Sequence, residues 1–197
     1  SKHARQRLTE ANQRSTAAWR EIKTKADWEQ RRDGWINALR KSLGEFPQPP
    51  NPMRVEVTNT KEDRGVRIDS LVFESRPGWF VTANLYAPLD PPKSLPGFIL
   101  SHSHHSPKSQ GELQDMGQLW ARAGCYVLVP DHLGHGERRQ HPFRTAEDFP
   151  DKFQVGRQDY HFRYNTAGQL YLVGESLMGW LAWDLMRGVD VLLKQPG

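Results

Sequence analysis

Apolar positions recur at helical spacing over the first 50 residues. We predict two helices there, over about residues 4–18 and 27–43, from the spacing of Trp19, Trp28, Trp35, Ile36 and Leu39. The segment FPQPPNP (46–52) ends the pattern, because proline cannot donate the backbone hydrogen bond that a helix interior requires. The sequence therefore predicts a helical N-terminal extension, residues 1–50, followed by one domain, residues 51–197.

A strand with an irregular phase follows the proline-rich segment. In RGVRIDSLVFES (64–75), Val66 and Ile68 alternate with polar residues, whereas Leu71 and Phe73 fall on the opposite phase. Such a phase change is typical of a β-bulge, in which one strand contains an extra residue. We therefore predict a bulged strand at this position.

The next segments predict a hairpin and then a parallel pair of strands. Turn residues at 77–78 separate the bulged strand from WFVTANLYAP (79–88), which predicts an antiparallel return strand. Two continuous apolar runs, GFIL (97–100) and CYVLVP (125–130), flank a helix expected over about residues 112–123. A strand, a helix and a strand in this order predict a βαβ unit whose two strands are parallel and share one sheet.

The last third of the chain has a different pattern. Residues 132–164 show no clear periodicity, but their aromatic residues argue against disorder. Thr166 and Gln169 have the spacing of a capping box, and apolar residues then recur at helical spacing. We predict one continuous helix from Thr166 to about Lys194. The helix also contains Trp180 and Trp183, and we expect that four strands are too few to cover both tryptophans.

The segment GESLMG (174–179) is similar to the GxSxG sequence that contains the nucleophile of serine hydrolases. That serine must occupy a strained turn between a strand and a helix. Ser176 falls inside the predicted helix, and its spacing is GxSxxG. We therefore interpret Gly174, Ser176 and Gly179 as small residues that permit close packing.

Charge and cysteine content exclude several classes of protein. The net charge is +4, and residues 1–46 hold 11 Lys and Arg against 6 Asp and Glu. Because acidic residues are interspersed, we predict no nucleic-acid partner. The apolar window 177–183 is too short for a membrane span, so we expect no membrane partner and a soluble protein, either cytoplasmic or exported after removal of a signal peptide. Cys125 is the only cysteine, which excludes an internal disulfide and a cysteine-based zinc site.

Histidines concentrate directly after the two predicted parallel strands. They are His102, His104 and His105 in SHSHHSP (101–107), and His132 and His135 in PDHLGHGER (130–138). Ligands bind at the carboxyl ends of strands in open α/β sheets, so we expect the two segments to share a rim. Imidazoles at alternating positions beside Asp131 could also coordinate zinc, and a histidine-based metal-dependent hydrolase is kept as a lesser alternative. We predict that the protein needs no cofactor and no metal.

From about residue 65 onward the chain resembles the α/β-hydrolase superfamily. TANLYAPLDPPKSLPGFILSHSHH (82–105) resembles the second strand, connector and third strand of acetyl xylan esterase-like and dienelactone hydrolase-like members. YVLVPDHLGHGER (126–138) resembles their D-x-x-G-x-G segment after the fourth strand. The resemblance implies an α/β fold, the N-terminal part of an α/β-hydrolase. In this fold an antiparallel hairpin would lead into a parallel sheet with flanking helices. The helical N-terminal segment would precede the hairpin.

The same resemblance implies roles for the histidine segments. The backbone N–H of His104, or that of its neighbour His105, would belong to an oxyanion hole, which stabilises the negative charge that develops during acyl transfer. Four further residues would form the rim of the substrate site: His102, Asp131, His132 and His135. His102 would also brace the loop through a hydrogen bond. The resemblance thus implies a carboxylic ester hydrolase with a serine nucleophile, acting on a small ester or an acylated carbohydrate.

In this superfamily the serine, the acid and the catalytic histidine come after the segments found here. We therefore expect all three to lie beyond residue 197 and this chain alone to be inactive. Its expected partner is the C-terminal part of the same hydrolase, or a second chain that completes the fold. A noncatalytic binding or scaffolding module of the same fold is the alternative function, and a homo-oligomer is also left open.

Overall fold

The computed structural model of the chain describes residues 2–102, 107–140 and 158–196, with the backbone alone for residues 158–161. Two compact units are present, Ser1–Ser42 and Leu43–Gly197. The first unit contains two helices, which confirms the predicted helical segment: α1 (Lys2–Arg20) and α2 (Lys25–Ser42). Their indole rings pack together, with centroids 5.1 to 6.0 Å apart among Trp19, Trp28 and Trp35.

The second unit is a mixed sheet with helices on both faces. The strands are β1 (Val55–Asp63), β2 (Val66–Arg76), β3 (Trp79–Pro88), β4 (Gly97–Ile99) and β5 (Tyr126–Pro130). The helices are α3 (Gly111–Arg122), α4 (Gln158–Leu172) and α5 (Leu177–Leu192). The strand order is β1-β2-β3-β5-β4; β4 and β5 are parallel, and the other pairs are antiparallel. The predicted fold class, hairpin and parallel pair are confirmed. Strand β1 was not predicted, because nearly all of its residues are exposed and most are polar.

The phase change in β2 has a different cause from the predicted bulge. Val66 and Ile68 pack with residues of α3, whereas Leu71 and Phe73 pack on the other face with Val191 of α5. The pairing of β2 with β3 is continuous over this segment. The register shifts instead in the partner strand β1, at Thr58, and near the end of β2, between Glu74 and Arg76. The phase changes because β2 is buried on opposite faces at its two ends.

The single long helix predicted from Thr166 onward is wrong, because two helices occupy this segment. Helix α4 begins at Gln158, so Thr166 and Gln169 lie in its interior. Gly174 has a φ of 78° and follows the end of α4, as a glycine in the left-handed conformation commonly does. Helix α5 then begins after Ser176, whose backbone is extended. Apolar spacing continues across the break, which is why the pattern did not reveal it.

The expectation that the strands of this chain are too few to cover both tryptophans of the last helix is also wrong. Trp183 is only 4% exposed, and its indole N–H donates to the carbonyl oxygen of Ser75 at 2.7 Å. Trp180 is half-buried, with the guanidinium of Arg76 4.3 Å from its ring centroid. The end of the β2–β3 hairpin therefore provides the cover. Other apolar residues near the end of the chain remain exposed, including Met178, Met186, Val189 and Leu193.

Candidate functional site

The loops after β4 and β5 meet at one edge of the sheet. Ile99 pairs with Leu128, and the backbone N–H of Leu100 donates to the carbonyl oxygen of Leu128 at 2.9 Å. The segment after Leu100 therefore lies beside the segment after Pro130. This pairing brings together three of the histidines that the sequence singled out, His102, His132 and His135. Their ring centroids lie 4.0 Å (102 to 132), 4.8 Å (102 to 135) and 6.2 Å (132 to 135) apart.

His102 fixes the position of the second loop. It is buried, and its Nε2 accepts a hydrogen bond from the backbone N–H of His132 at 2.8 Å. A ring nitrogen that accepts carries no proton, so in neutral His102 the proton is on Nδ1. His135 is also buried, with Nδ1 3.4 Å from the carbonyl oxygen of Leu133. These two imidazoles lie beneath the rim and hold the loop.

His132 is the more accessible member of the cluster. Its Nε2 lies 2.9 Å from the hydroxyl oxygen of Ser101, which is exposed at the end of β4. Burial is the main cause that lowers the pKa of His132 to about 3, and the neighbouring His102, His135 and Arg138 contribute to this shift by disfavouring a positive charge. Asp131 opposes this shift only weakly. The imidazole of His132 is therefore neutral at physiological pH.

This depressed pKa predicts a pH-dependent stability. An unfolded histidine takes up a proton near pH 6.5, whereas folded His132 resists protonation until about pH 3. The contribution of neutral His132 to the free energy of unfolding is therefore complete above pH 6.5. It is lost as the pH falls, by up to about 1.4 kcal/mol per pH unit for one proton. We expect the stability difference between the wild type and His132→Gln to shrink from pH 7 to pH 5 in urea unfolding. The exposed His3→Gln variant is the control, and a difference independent of pH would contradict the prediction.

Asp131 lies below the rim and connects several parts of the site. Its carboxylate is fully buried and accepts hydrogen bonds from the Thr82 hydroxyl at 2.9 Å and from the backbone N–H of Lys108 at 2.8 Å. The ammonium of Lys108 binds the same carboxylate at 2.6 Å and also contacts Glu137. Gly136 passes so close to the carboxylate that a Cβ there would overlap it. Asp131 therefore holds β3 and both loops together.

A second buried ion pair joins the loop after β5 to helix α5. Arg138 donates through Nη1 to Asp184 at 2.8 Å and to the carbonyl oxygen of Asp131 at 3.0 Å. Asp184 also accepts a hydrogen bond from the hydroxyl of Ser75, at 2.6 Å. The sequence did not predict a role for Lys108, Arg138 or Asp184. One signal was available, since Asp184 is a lone carboxylate in the apolar run LMGWLAWDLM (177–186).

Two of the predicted site residues, His104 and His105, lie outside the described residues. Among the residues that the structure does describe, no group of three or more His, Cys, Asp or Glu side chains is arranged to hold a metal ion. Within the same ranges, no helix has both the length and the apolar character to cross a membrane.

Ser176 does not occupy a nucleophile elbow. It is buried and occupies the N-cap position of α5, in a turn between two helices, without a capping hydrogen bond from its side chain. An elbow requires a strand before the serine, so that the hydroxyl projects from the sheet edge. A Cβ on Gly179 would overlap the carbonyl oxygen of Leu43. Gly179 is thus required for close packing, as predicted. The same prediction is wrong for Gly174, where a Cβ would meet no neighbouring atom and the positive φ is what favours glycine.

No family model matches the sequence, and no curated protein matches it either. Solved structures do match in fold. A protein from Bacteroides fragilis assigned as an acetyl xylan esterase superimposes with a TM-score of 0.67 at 15% identity, over 89% of this chain and 46% of that protein. The acetyl xylan esterase from Paenibacillus sp. R4 has a TM-score of 0.51 at 20% identity, over 82% of this chain and 46% of the esterase.

A glucuronoyl esterase from Solibacter usitatus is also similar, with a TM-score of 0.50 and 13% identity. The superposition covers 89% of this chain and 51% of the glucuronoyl esterase. The chain thus spans about half the length of the solved structures that it matches. At these identities the likeness concerns the fold alone. The chain has the fold of the N-terminal part of an α/β-hydrolase, of the kind found in acetyl xylan and glucuronoyl esterases.

Proposed function

We propose that this chain is the N-terminal part of a carboxylic ester hydrolase that uses a serine nucleophile. The observation that supports this most strongly is the superposition on an esterase fold with a TM-score of 0.67. The position of the histidine cluster also supports it, because the cluster lies at the carboxyl ends of the parallel strands, where α/β sheets bind ligands.

In the proposed mechanism the chain contributes one side of the active site. The serine attacks the ester carbonyl, and the electron pair of the C=O bond moves onto oxygen. Backbone N–H groups at His104 or His105 would stabilise this oxyanion. Asp131 and the buried histidines keep the adjacent loop in place, while His132 and Ser101 are available to the substrate.

The serine, the acid and the catalytic histidine would come from polypeptide that pairs with β4. In the described sheet β4 has a neighbour on one side only, β5. Residues of β4 and α5 also line a cavity of about 350 Å³, whose lining includes Leu95, Gly97, Ile99, Val189 and Leu192. A further strand and helix would bury this apolar surface. This pairing is the proposed role of the C-terminal part of the hydrolase, or of a second chain.

We propose an acylated carbohydrate as the substrate class. The three solved structures described above are assigned to acetyl xylan or glucuronoyl ester hydrolysis. These differ in which side of the ester carries the sugar: an acetate bound to a sugar hydroxyl, or a uronic acid whose carboxyl group is esterified. Comparing an acetylated xylo-oligosaccharide with a methyl glucuronate ester would distinguish the two.

The experiment uses the complete protein with p-nitrophenyl acetate. We expect hydrolysis that a serine-directed phosphonate abolishes and that a chelator leaves unchanged, and we expect no hydrolysis by residues 1–197 alone. Loss of activity with the chelator would indicate the metal-dependent alternative instead. Absence of activity on all ester substrates, with carbohydrate binding retained, would indicate the noncatalytic module.

A further inference from the structure

The function proposed so far places Ser101 and His132 within reach of the substrate but gives no chemical role to the hydrogen bond between them. The hydroxyl oxygen of Ser101 lies 2.9 Å from Nε2 of His132, and Ser101 is exposed. The pair lies at the carboxyl end of β4, the strand with the open edge. If a further parallel strand pairs there, its own carboxyl end lies beside Ser101. A nucleophile after that strand would therefore be close to this hydroxyl.

The pair is not suited to act as a nucleophile and its general base. A base is effective when its pKa is near the working pH. The pKa of His132 is lowered to about 3, so its imidazole takes up a serine proton poorly at neutral pH. The same neutrality suits another role, because a neutral imidazole with its proton on Nε2 donates to Ser101 and leaves the serine proton free for another acceptor.

We propose that the Ser101 hydroxyl, held by Nε2–H of His132, donates a hydrogen bond to the carbonyl oxygen of the ester substrate. The inference rests on the proposed function and adds a side-chain donor to the backbone donors. As the serine of the complete hydrolase attacks, negative charge grows on this oxygen, and the donated hydrogen bond strengthens. Ser101 keeps its proton when the oxyanion collapses and the alcohol leaves.

The surrounding contacts keep the donor in a fixed position. His132 is held through its backbone N–H, which donates to His102 at 2.8 Å, and through its ring, whose centroid lies 4.0 Å from that of His102. Donors that are already oriented stabilise an oxyanion without the cost of reorganisation. The buried His102 is thus a positioning residue, and Ser101 is the residue that contacts the substrate.

The test compares Ser101→Ala and Ser101→Thr with the wild type in the complete protein. For Ser101→Ala we expect kcat on p-nitrophenyl acetate to fall about 100- to 1,000-fold with little change in KM, as for loss of one oxyanion donor. Ser101→Thr keeps the hydroxyl and should retain most activity. Ser109→Ala removes another exposed hydroxyl outside the pair and is the control. Circular dichroism checks that each variant is folded.

A second measurement tests the role of His132. We expect His132→Phe to lower kcat by a similar factor and the double variant to be no slower than either single variant, because one donor is lost in each case. Nitrogen NMR shifts should show the proton of His132 on Nε2. A proton on Nδ1, or an active wild type with Ser101→Ala within twofold of it, would overturn this inference and leave the proposed function intact. An inactive wild type would overturn both.

Discussion

Replacing Asp184 with alanine is expected to lower the free energy of unfolding by about 3–5 kcal/mol. The guanidinium of Arg138 is 4% exposed in its side chain and binds Asp184 at 2.8 Å, so the substitution leaves a buried cation without its counter-charge. The Ser75 hydroxyl also loses its acceptor. Urea unfolding followed by tryptophan fluorescence measures the loss, since the buried Trp183 directly precedes Asp184 in the chain.

The control for this prediction is Asp190→Ala in the same helix. Asp190 pairs with Arg187, and this pair is more open to water than that of Asp184 and Arg138, with side chains 36% and 12% exposed against 6% and 4%, so we expect a smaller loss. Removing both buried charges in Arg138→Met/Asp184→Leu should recover part of the stability, because no unpaired charge remains. Equal losses for Asp184→Ala and Asp190→Ala would show that the buried pair has no special importance.

Replacing Asp131 with alanine is expected to cost about 3 kcal/mol, near the lower end of the range for a broken buried pair. Its partner Lys108 retains a contact with Glu137, whose side chain is 69% exposed, and this contact compensates part of the lost charge interaction. The substitution also removes the acceptor for the Thr82 hydroxyl and for the backbone N–H of Lys108. The midpoint of urea unfolding reports the change.

Asp115→Ala provides the matched control for Asp131, since Asp115 is an exposed aspartate on α3. Lys108→Met should also destabilise the fold, and Lys108→Met combined with Asp131→Ala should cost less than the sum of the single changes. Additive losses would mean that the two residues act independently, and would contradict the view that they form one buried unit.

The sequence predicted those parts of the fold in which burial follows a simple period. The apolar run of β5 reflects a strand that is buried along its whole length, and the turn after β2 is marked by Pro77 and Gly78. Strand β4 has a similar apolar run but lies at the open edge of the described sheet, where two of its three residues are exposed. Strand β1 has no such signal, because its outward side chains need no apolar pattern. The break at Gly174 was missed because apolar spacing is continuous across it. Backbone conformation, not side-chain pattern, ends helix α4 there.

The candidate site was predictable where topology alone determines proximity. Parallel strands end at the same edge, so His102 and His132 were expected on one rim before their distance was known. The ion pair between Arg138 and Asp184 could not be foreseen in the same way. The two residues lie on separate elements, and no local spacing relates them. Only the packing of α5 against the sheet brings them within 2.8 Å.

The order of the strands has a consequence for how this sheet assembles during protein synthesis. Strands β1, β2 and β3 are consecutive, and each pairs with the next, so their contacts are local in sequence. Local contacts form quickly, and the ribosome releases the N-terminal segments first. The antiparallel meander can thus form while later residues are still being translated. Strand β5 then pairs with β3, which has already formed and acts as its template. The two loops that carry the histidines are among the last parts to reach their final positions.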